Sequence, residues 1–387
     1  MRNPTFDTDD DFRFNACVGN NGWVDHSTYS DGFDEAVAVL CNTVFNGGTA
    51  DTLIYPIVFC ARHRIELFIK SQLKEIGNIK SGISIPEEKI IKTHDLKILW
   101  QLLEAMTRQC DSRYNEHIDK CTSIVMDFFS MDPTGETFRY PYSHEGTKHL
   151  TDQSIIGLRR FTEAYSELTE NLENIETLSG LLSSEYATGT YTKSLSRTNL
   201  EEIAKILPPR NQWGDPSGTF DSIKASTKSR YNIGSLEYSE ALKLIQKHRE
   251  FSSYLGIDNT IQHCPTEKLN TIFATRTKIN LLSDSAQNLF KPENLELRDQ
   301  YIELIENSLN QEELATLLAL HELGTSQAYY SESYDFLYKR NLEDIQYSKR
   351  ESTSYISSKG LIEERVIIAL TKMNQHHLLE ELEKTKK

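Results

Sequence analysis

Residues 55–76 read YPIVFCARHRIELFIKSQLKEI. Apolar residues recur at Ile54, Val58, Ala61, Ile65 and Phe68, spacings of three and four that place them on one face of a helix. Set into this apolar helix is a basic centre, Arg62, His63 and Arg64, followed by Glu66 and Lys70. Three readings of the centre are open. Arg62–Glu66 and Glu66–Lys70 are i,i+4 pairs that add a few tenths of a kcal/mol each on an exposed flank. His63 and an arginine could instead line a cleft between helices, with His94 opposite. A polar network buried in a bundle is intermediate: structural, but costly to break.

Working outward, helical period persists. The pattern predicts helices over Phe33–Phe45, Thr52–Ile76, His94–Cys110 and Asn115–Phe129, and a long one over Asp152–Tyr186. Thr198 with Glu201 has the spacing of a capping box before a short helix. Residues 207–235, LPPRNQWGDPSGTFDSIKASTKSRYNIGS, are rich in Gly, Pro, Ser and Asn and read as a long loop. Helices follow over Leu236–Leu255, Glu267–Leu282, Glu293–Leu309, Glu312–Leu323, Ser331–Leu342 and Leu361–Leu382, with Asn310 and Glu313 as a second cap. Ile83–Ile85 and Thr137–Tyr140 are the short strand candidates. The expectation is an all-α protein. It comprises an irregular N-terminal segment (1–30), a helical bundle (31–187), a linker (188–235) and a C-terminal helical domain (236–387).

Composition narrows the function classes. The 387 residues are 38% hydrophobic and 26% charged, with a formal net charge of −15. A global polyanion-binding surface is excluded, so any RNA contact requires a local basic patch. The longest apolar run, Leu53 to Ala61, is too short to span a bilayer. The start MRNPTFDTDDDFRF is acidic and lacks an apolar leader core. Six scattered cysteines without a C-x-x-C pair suggest reduced thiols and a cytoplasmic protein. No P-loop, dinucleotide fingerprint, G-x-S-x-G elbow or zinc spacing occurs, so neither cofactor nor metal is implied.

Tyr55, Pro56, Arg62, His63, Ile65, Glu66, Leu67 and Lys70, then His94, Asp95, Leu96 and Trp100, resemble the HEPN superfamily of helical bundles. The resemblance covers residues 30–180 at most. It implies a prokaryotic conflict or anti-phage setting, and in active members a metal-independent endoribonuclease with R-x(4–6)-H motifs facing one cleft of a dimer. Histidine supplies an acid or base near neutral pH, and arginine a fixed cation for the phosphate. Arg139 to His144, in FRYPYSHEG, has that spacing. It departs from the pattern in having Tyr140 after the arginine and Pro141 within the motif. As a nuclease pair, Arg139 would hold the phosphate and His144 would move the proton. Arg62, His63, Glu66 and His94 are secondary binding candidates. Lys224, Lys228 and Arg230, near Tyr231, form a basic patch suited to single-stranded nucleic acid or to plain solvation. The alternative is a non-catalytic interaction or sensor module that docks and regulates a partner effector, its partner another protein, a second copy in a homodimer, or both.

Overall fold

The computed structural model describes residues 3–19, 21, 24–282, 292–326 and 330–384. Among them the regular elements are helical, and one isolated bridge, Tyr142 to Lys148, is the sole extended pairing. The fold is all-α. The chain divides into two units, Met1–Ser183 and Ser184–Lys387. No helix of the described residues is long and apolar enough to cross a membrane.

In the first unit, α1 (His26–Phe45) and α2 (Ala50–Ile79) form a hairpin. α1 begins earlier than apolar period predicts, because Asp25 caps it by accepting from the Thr28 N–H. After the single turn α3 (Glu88–Ile91) come α4 (Leu96–Cys110), which packs on α2, and α5 (Asn115–Met131), which packs on α4. α6 (Leu158–Tyr186) completes the bundle. Tyr165 and Thr162 on α6 bond Asp34 and Cys41 on α1. Ser179 on α6 bonds Gln72 on α2.

α2 is the axis of this unit. Ile57, Ala61, Ile65, Ile69, Leu73 and Ile76 are fully buried. So are the polar residues Arg62, Arg64, Glu66 and Gln72, because other helices cover more than one face. The strand candidates are corrected. Ile83 is buried in a connection, and Ile85 packs against Gly77. Thr137–Tyr140 is a turn whose Thr137 N–H is held by Asp132 Oδ1 at 3.1 Å.

The second unit has two apolar clusters. The first gathers Leu195, just before α7 (Arg197–Ile206), with Leu200, Ile203, Tyr238, Ile245 and Phe251 from α7, α9 (Ser235–Lys247) and α10 (Arg249–Tyr254). The residues expected to be a linker therefore hold part of a core. α8 (Thr219–Tyr231) forms within the expected loop. Its signal was weak because Thr227 is its sole buried residue, while Phe220 stacks on Trp213 at 4.6 Å. The cap of α7 is Ser196 with Asn199, two residues before the predicted Thr198–Glu201 box.

The second cluster is built by α11 (Thr266–Leu282), α12 (Pro292–Ser308), α13 (Gln311–Thr325), α14 (Ser333–Tyr347), α15 (Lys349–Ser357), α16 (Ile362–Lys372) and α17 (His376–Lys384). The Asn310–Glu313 capping box forms as read. Two predicted helices are each split. His248 turns extended between α9 and α10, and Asn374 adopts φ +51° before α17.

Candidate functional site

Arg62 leaves α2 into the core of the first unit and is 3% exposed. Its guanidinium is satisfied on three sides. Nε donates to the Asp132 carbonyl at 3.0 Å, and Nη2 donates to the His94 carbonyl at 2.7 Å. Nη1 donates to Glu66 Oε2 at 3.1 Å. The Asp132 carboxylate stands 3.5 Å from Nε. Glu66 Oε1 receives Lys70 Nζ at 2.8 Å and faces His94 Nδ1 at 2.8 Å. Burial pushes the Glu66 carboxyl up, but Lys70 and His94 outweigh it and hold it below its ordinary 4.5. Gly135 closes the network. Its φ is +81°, and a Cβ there would stand 2.9 Å from Arg62 Nη1. Arg62 thus ties α2 to the starts of α4 and of the turn after α5.

The three basic residues of the α2 centre have separate tasks. Arg64 is buried, 3.3 Å from Asp34 Oδ1 on α1 and 6.0 Å from the Phe68 ring centroid. His63 is half-buried, stacked on Phe59 at 5.8 Å and edge-on to Phe33 at 4.6 Å. Burial pushes His63 below its ordinary 6.5, which favours the neutral ring. His63 therefore belongs to an aromatic cluster, while Arg62, Glu66 and His94 belong to the brace.

The Arg139–His144 segment lies on the surface. Arg139 Nε donates to the Gly135 carbonyl at 2.8 Å, and its guanidinium lies 5.7 Å from the Phe59 ring and 5.4 Å from Tyr140. His144, 89% exposed, sits 3.1 Å from Glu136. No hydrogen bond or ion pair joins Arg139 to His144 among the described residues. The loop is closed by Ser143 N–H on the Thr147 carbonyl and by the Tyr142–Lys148 bridge. Tyr140 and Tyr142 within the segment are exposed, as is Tyr55, whose ring lies 6.4 Å from that of Phe138. Two cavities of about 330 and 420 Å³ share Phe138 as a wall.

The Lys224–Lys228–Arg230 patch is in the second unit, on α8. Lys228 donates to Ser235 at 2.8 Å. Arg230 pairs with Glu202 at 3.0 Å and stacks on Tyr231. Two of its three cations are therefore already engaged, on a helix where a loop was expected.

Sequence reading missed Arg197. It is 5% exposed, and its partners come from distant segments: Glu250 at 2.5 Å and Glu332 at 2.8 Å. Phe251 and Tyr330 each lie 4.8 Å from its guanidinium. Burial pushes the Glu332 carboxyl up, but contacts from His248 and Arg197 outweigh this and hold it far below the ordinary carboxylate range. His248, Glu250 and Glu332 are close enough to share a cation. The wiring opposes one. Arg197 already bonds both carboxylates. His248 Nδ1 accepts the Phe251 N–H at 3.2 Å, which puts the ring proton on Nε2, facing Glu332 at 2.9 Å. A metal would have to displace a guanidinium and a proton together. Comparison of the chain with family models, with curated proteins and with solved structures finds no match.

Proposed function

We propose that the chain is a HEPN-like component of a prokaryotic conflict system whose N-terminal unit binds a partner and does not cut RNA. The observation that carries this reading is the state of the motif. Arg139 and His144 are each engaged within their own turn, exposed, and not joined to one another. General acid–base cleavage requires the proton-transfer group and the phosphate cation to converge on one reacting centre. The buried Arg62–Glu66–His94 network supports the same reading, because every strong donor of Arg62 is spent on bracing helices. Exposed Tyr55, Tyr140 and Tyr142 with the cation of Arg139 provide aromatic and basic contact surface suited to a partner.

The test is incubation of the purified full chain with single-stranded and structured RNA in EDTA. The expected result is intact RNA for wild type and for His144→Ala alike. Cleavage that disappears in both Arg139→Ala and His144→Ala would establish the nuclease instead. Cleavage lost only in His63→Ala would place the chemistry on α2.

A further inference from the structure

In the second unit, α13, α14 and α15 border a cavity of about 540 Å³, a volume in the range of small-molecule sites. Each helix sends one carboxylate to the lining: Glu322 from α13, Asp344 from α14 and Glu351 from α15. The cation that lines it with them, Arg340, is already bound to Glu322. The carboxylates of Asp344 and Glu351 make no ion pair or hydrogen bond among the described residues. The cavity therefore keeps two unneutralised acids.

A buried amide points to a ligand independently of these acids. Asn341 lines the cavity and is 5% exposed. Its Nδ2 protons are both used, one on Glu322 Oε1 at 3.1 Å and one on the Leu337 carbonyl at 2.8 Å. Its Oδ1 accepts no bond from any described residue, yet it is not sealed in the core, so its lone pairs open onto the cavity. A buried amide with a spare acceptor is completed by a donor from outside.

Two tyrosines add apolar and π surface to the lining. Tyr347 is 90% exposed, and its side chain makes no hydrogen bond or ring contact among the described residues. Tyr355 already carries a cation on one face, where Lys359 Nζ lies 4.0 Å from the ring centroid. Such rings attract cations and cover the methylenes that bear them.

The acids are too dispersed to share one metal ion. Among the described residues, the set of three ligating side chains within 4.8 Å of one another is His248, Glu250 and Glu332, outside this cavity. Carboxylates spread over three helices suit charges that are themselves spread along a chain. The spare amide acceptor suits charges that carry N–H groups, and Tyr347 suits an apolar stretch between them.

We infer that this cavity binds a linear aliphatic polyamine, with ammonium groups on Asp344, Glu351 and Asn341 Oδ1 and a methylene stretch against Tyr347. The site goes beyond the partner surface of the first unit and does not rest on that reading, so the RNA experiment and the one below fail separately.

The experiment is isothermal titration calorimetry on the full chain at low salt, with spermidine as the probe. Saturable binding is expected, weaker at high salt. Asp344→Asn/Glu351→Gln should weaken it about tenfold or more, and Tyr347→Ala about threefold. Asp9→Asn/Asp10→Asn removes the same charge from an exposed stretch of the other unit and should leave binding unchanged. Diaminohexane should also bind, and its hexamethylated analogue, with the same charge and chain but no N–H, should bind about tenfold more weakly. Absence of saturable spermidine binding overturns the inference. So does binding that Asp344→Asn/Glu351→Gln leaves unchanged, or that Asp9→Asn/Asp10→Asn weakens equally, because either result is general attraction to an acidic chain. Magnesium that displaces spermidine at equal concentration, or a methylated analogue that binds as tightly as the diamine, overturns the ligand class. A tri-lysine peptide that binds more tightly than spermidine makes the occupant a protein segment and overturns it too. Asp344, Tyr347 and Glu351 are exposed, so loss of fold does not stand in for loss of binding.

Discussion

Arg62 and Arg197 are both buried, both surrounded by acids, and built on different principles. Arg62 is held by two backbone carbonyls, at Asp132 and His94, by the Glu66 carboxylate from the next turn of its own helix, and by the Asp132 carboxylate at 3.5 Å. Arg197 is held by side chains: Glu250 and Glu332 from remote segments, and the rings of Phe251 and Tyr330. A carbonyl cannot change its charge or leave with a mutation, so the Arg62 brace loses its function mainly when Arg62 or its approach is altered. The Arg197 network can fail at any of four side chains. The contrast predicts that the second unit is the more sensitive to substitution of its arginine.

The largest effect is expected at Arg197. Replacing it with alanine strands Glu250 and Glu332 together in a partly dry site, and should cost about 3–5 kcal/mol. Denaturant unfolding would read this as a lower midpoint for the transition of the second unit. Arg62→Ala should cost less, about 2–3 kcal/mol, because Glu66 keeps Lys70 and His94 as partners and Asp132 keeps the Thr137 N–H. An equal or larger loss at Arg62 would break the comparison. Gly135→Ala comes next, at about 1–3 kcal/mol, because it adds a left-handed residue and presses Cβ onto Arg62. Its cost should vanish in an Arg62→Ala background apart from the backbone part, and a double-mutant cycle measures that coupling.

Acid sharpens the comparison without mutation. Glu66 and Glu332 are both held below their ordinary 4.5 in the folded protein. A depressed carboxylate stabilises the fold fully above its unfolded pKa and loses that contribution as pH falls through the folded one. Stability should therefore be flat in these two groups above about pH 5 and decline below about pH 4.5. Glu66→Gln and Glu332→Gln should each flatten the acid limb. His63 acts at higher pH. Its folded pKa lies below 6.5, so the unfolded chain binds the proton first and stability falls as pH drops below about 6.5. A His63→Gln protein whose unfolding keeps the same slope there would remove His63 from the account.

The contrast also explains what was legible in the sequence. Helices with strong period, such as α2 and α4, were readable because burial on one face repeats every three or four residues. The Arg62–Glu66–Lys70 brace was readable as a family of i,i+4 pairs, though its depth was not, since the Asp132 and His94 carbonyls arrive from the connections after α5 and before α4. Arg197 was not readable at all. Its partners lie 53 and 135 residues away, and Glu250 and Glu332 resemble any surface acid. α8 was missed for the opposite reason: a helix with one buried residue has almost no period to detect. The Arg139–His144 spacing was legible as text, but a spacing of five does not bring side chains together across a turn containing Pro141.

The smallest effects should fall on that turn. His144 is nearly fully exposed, and Arg139 has one bond to a carbonyl and two ring contacts. His144→Ala should change unfolding stability by no more than about 0.5 kcal/mol, as surface positions do. Arg139→Ala should lose slightly more, because the guanidinium covers Phe59 as well as bonding Gly135. The measurement matters because it separates two kinds of arginine in one unit. If Arg139→Ala costs as much as Arg62→Ala, the turn is part of the brace and its exposure is misleading. If it costs little and still abolishes association with a partner, the cation is there for contact, and the brace beneath it exists to hold that turn in place.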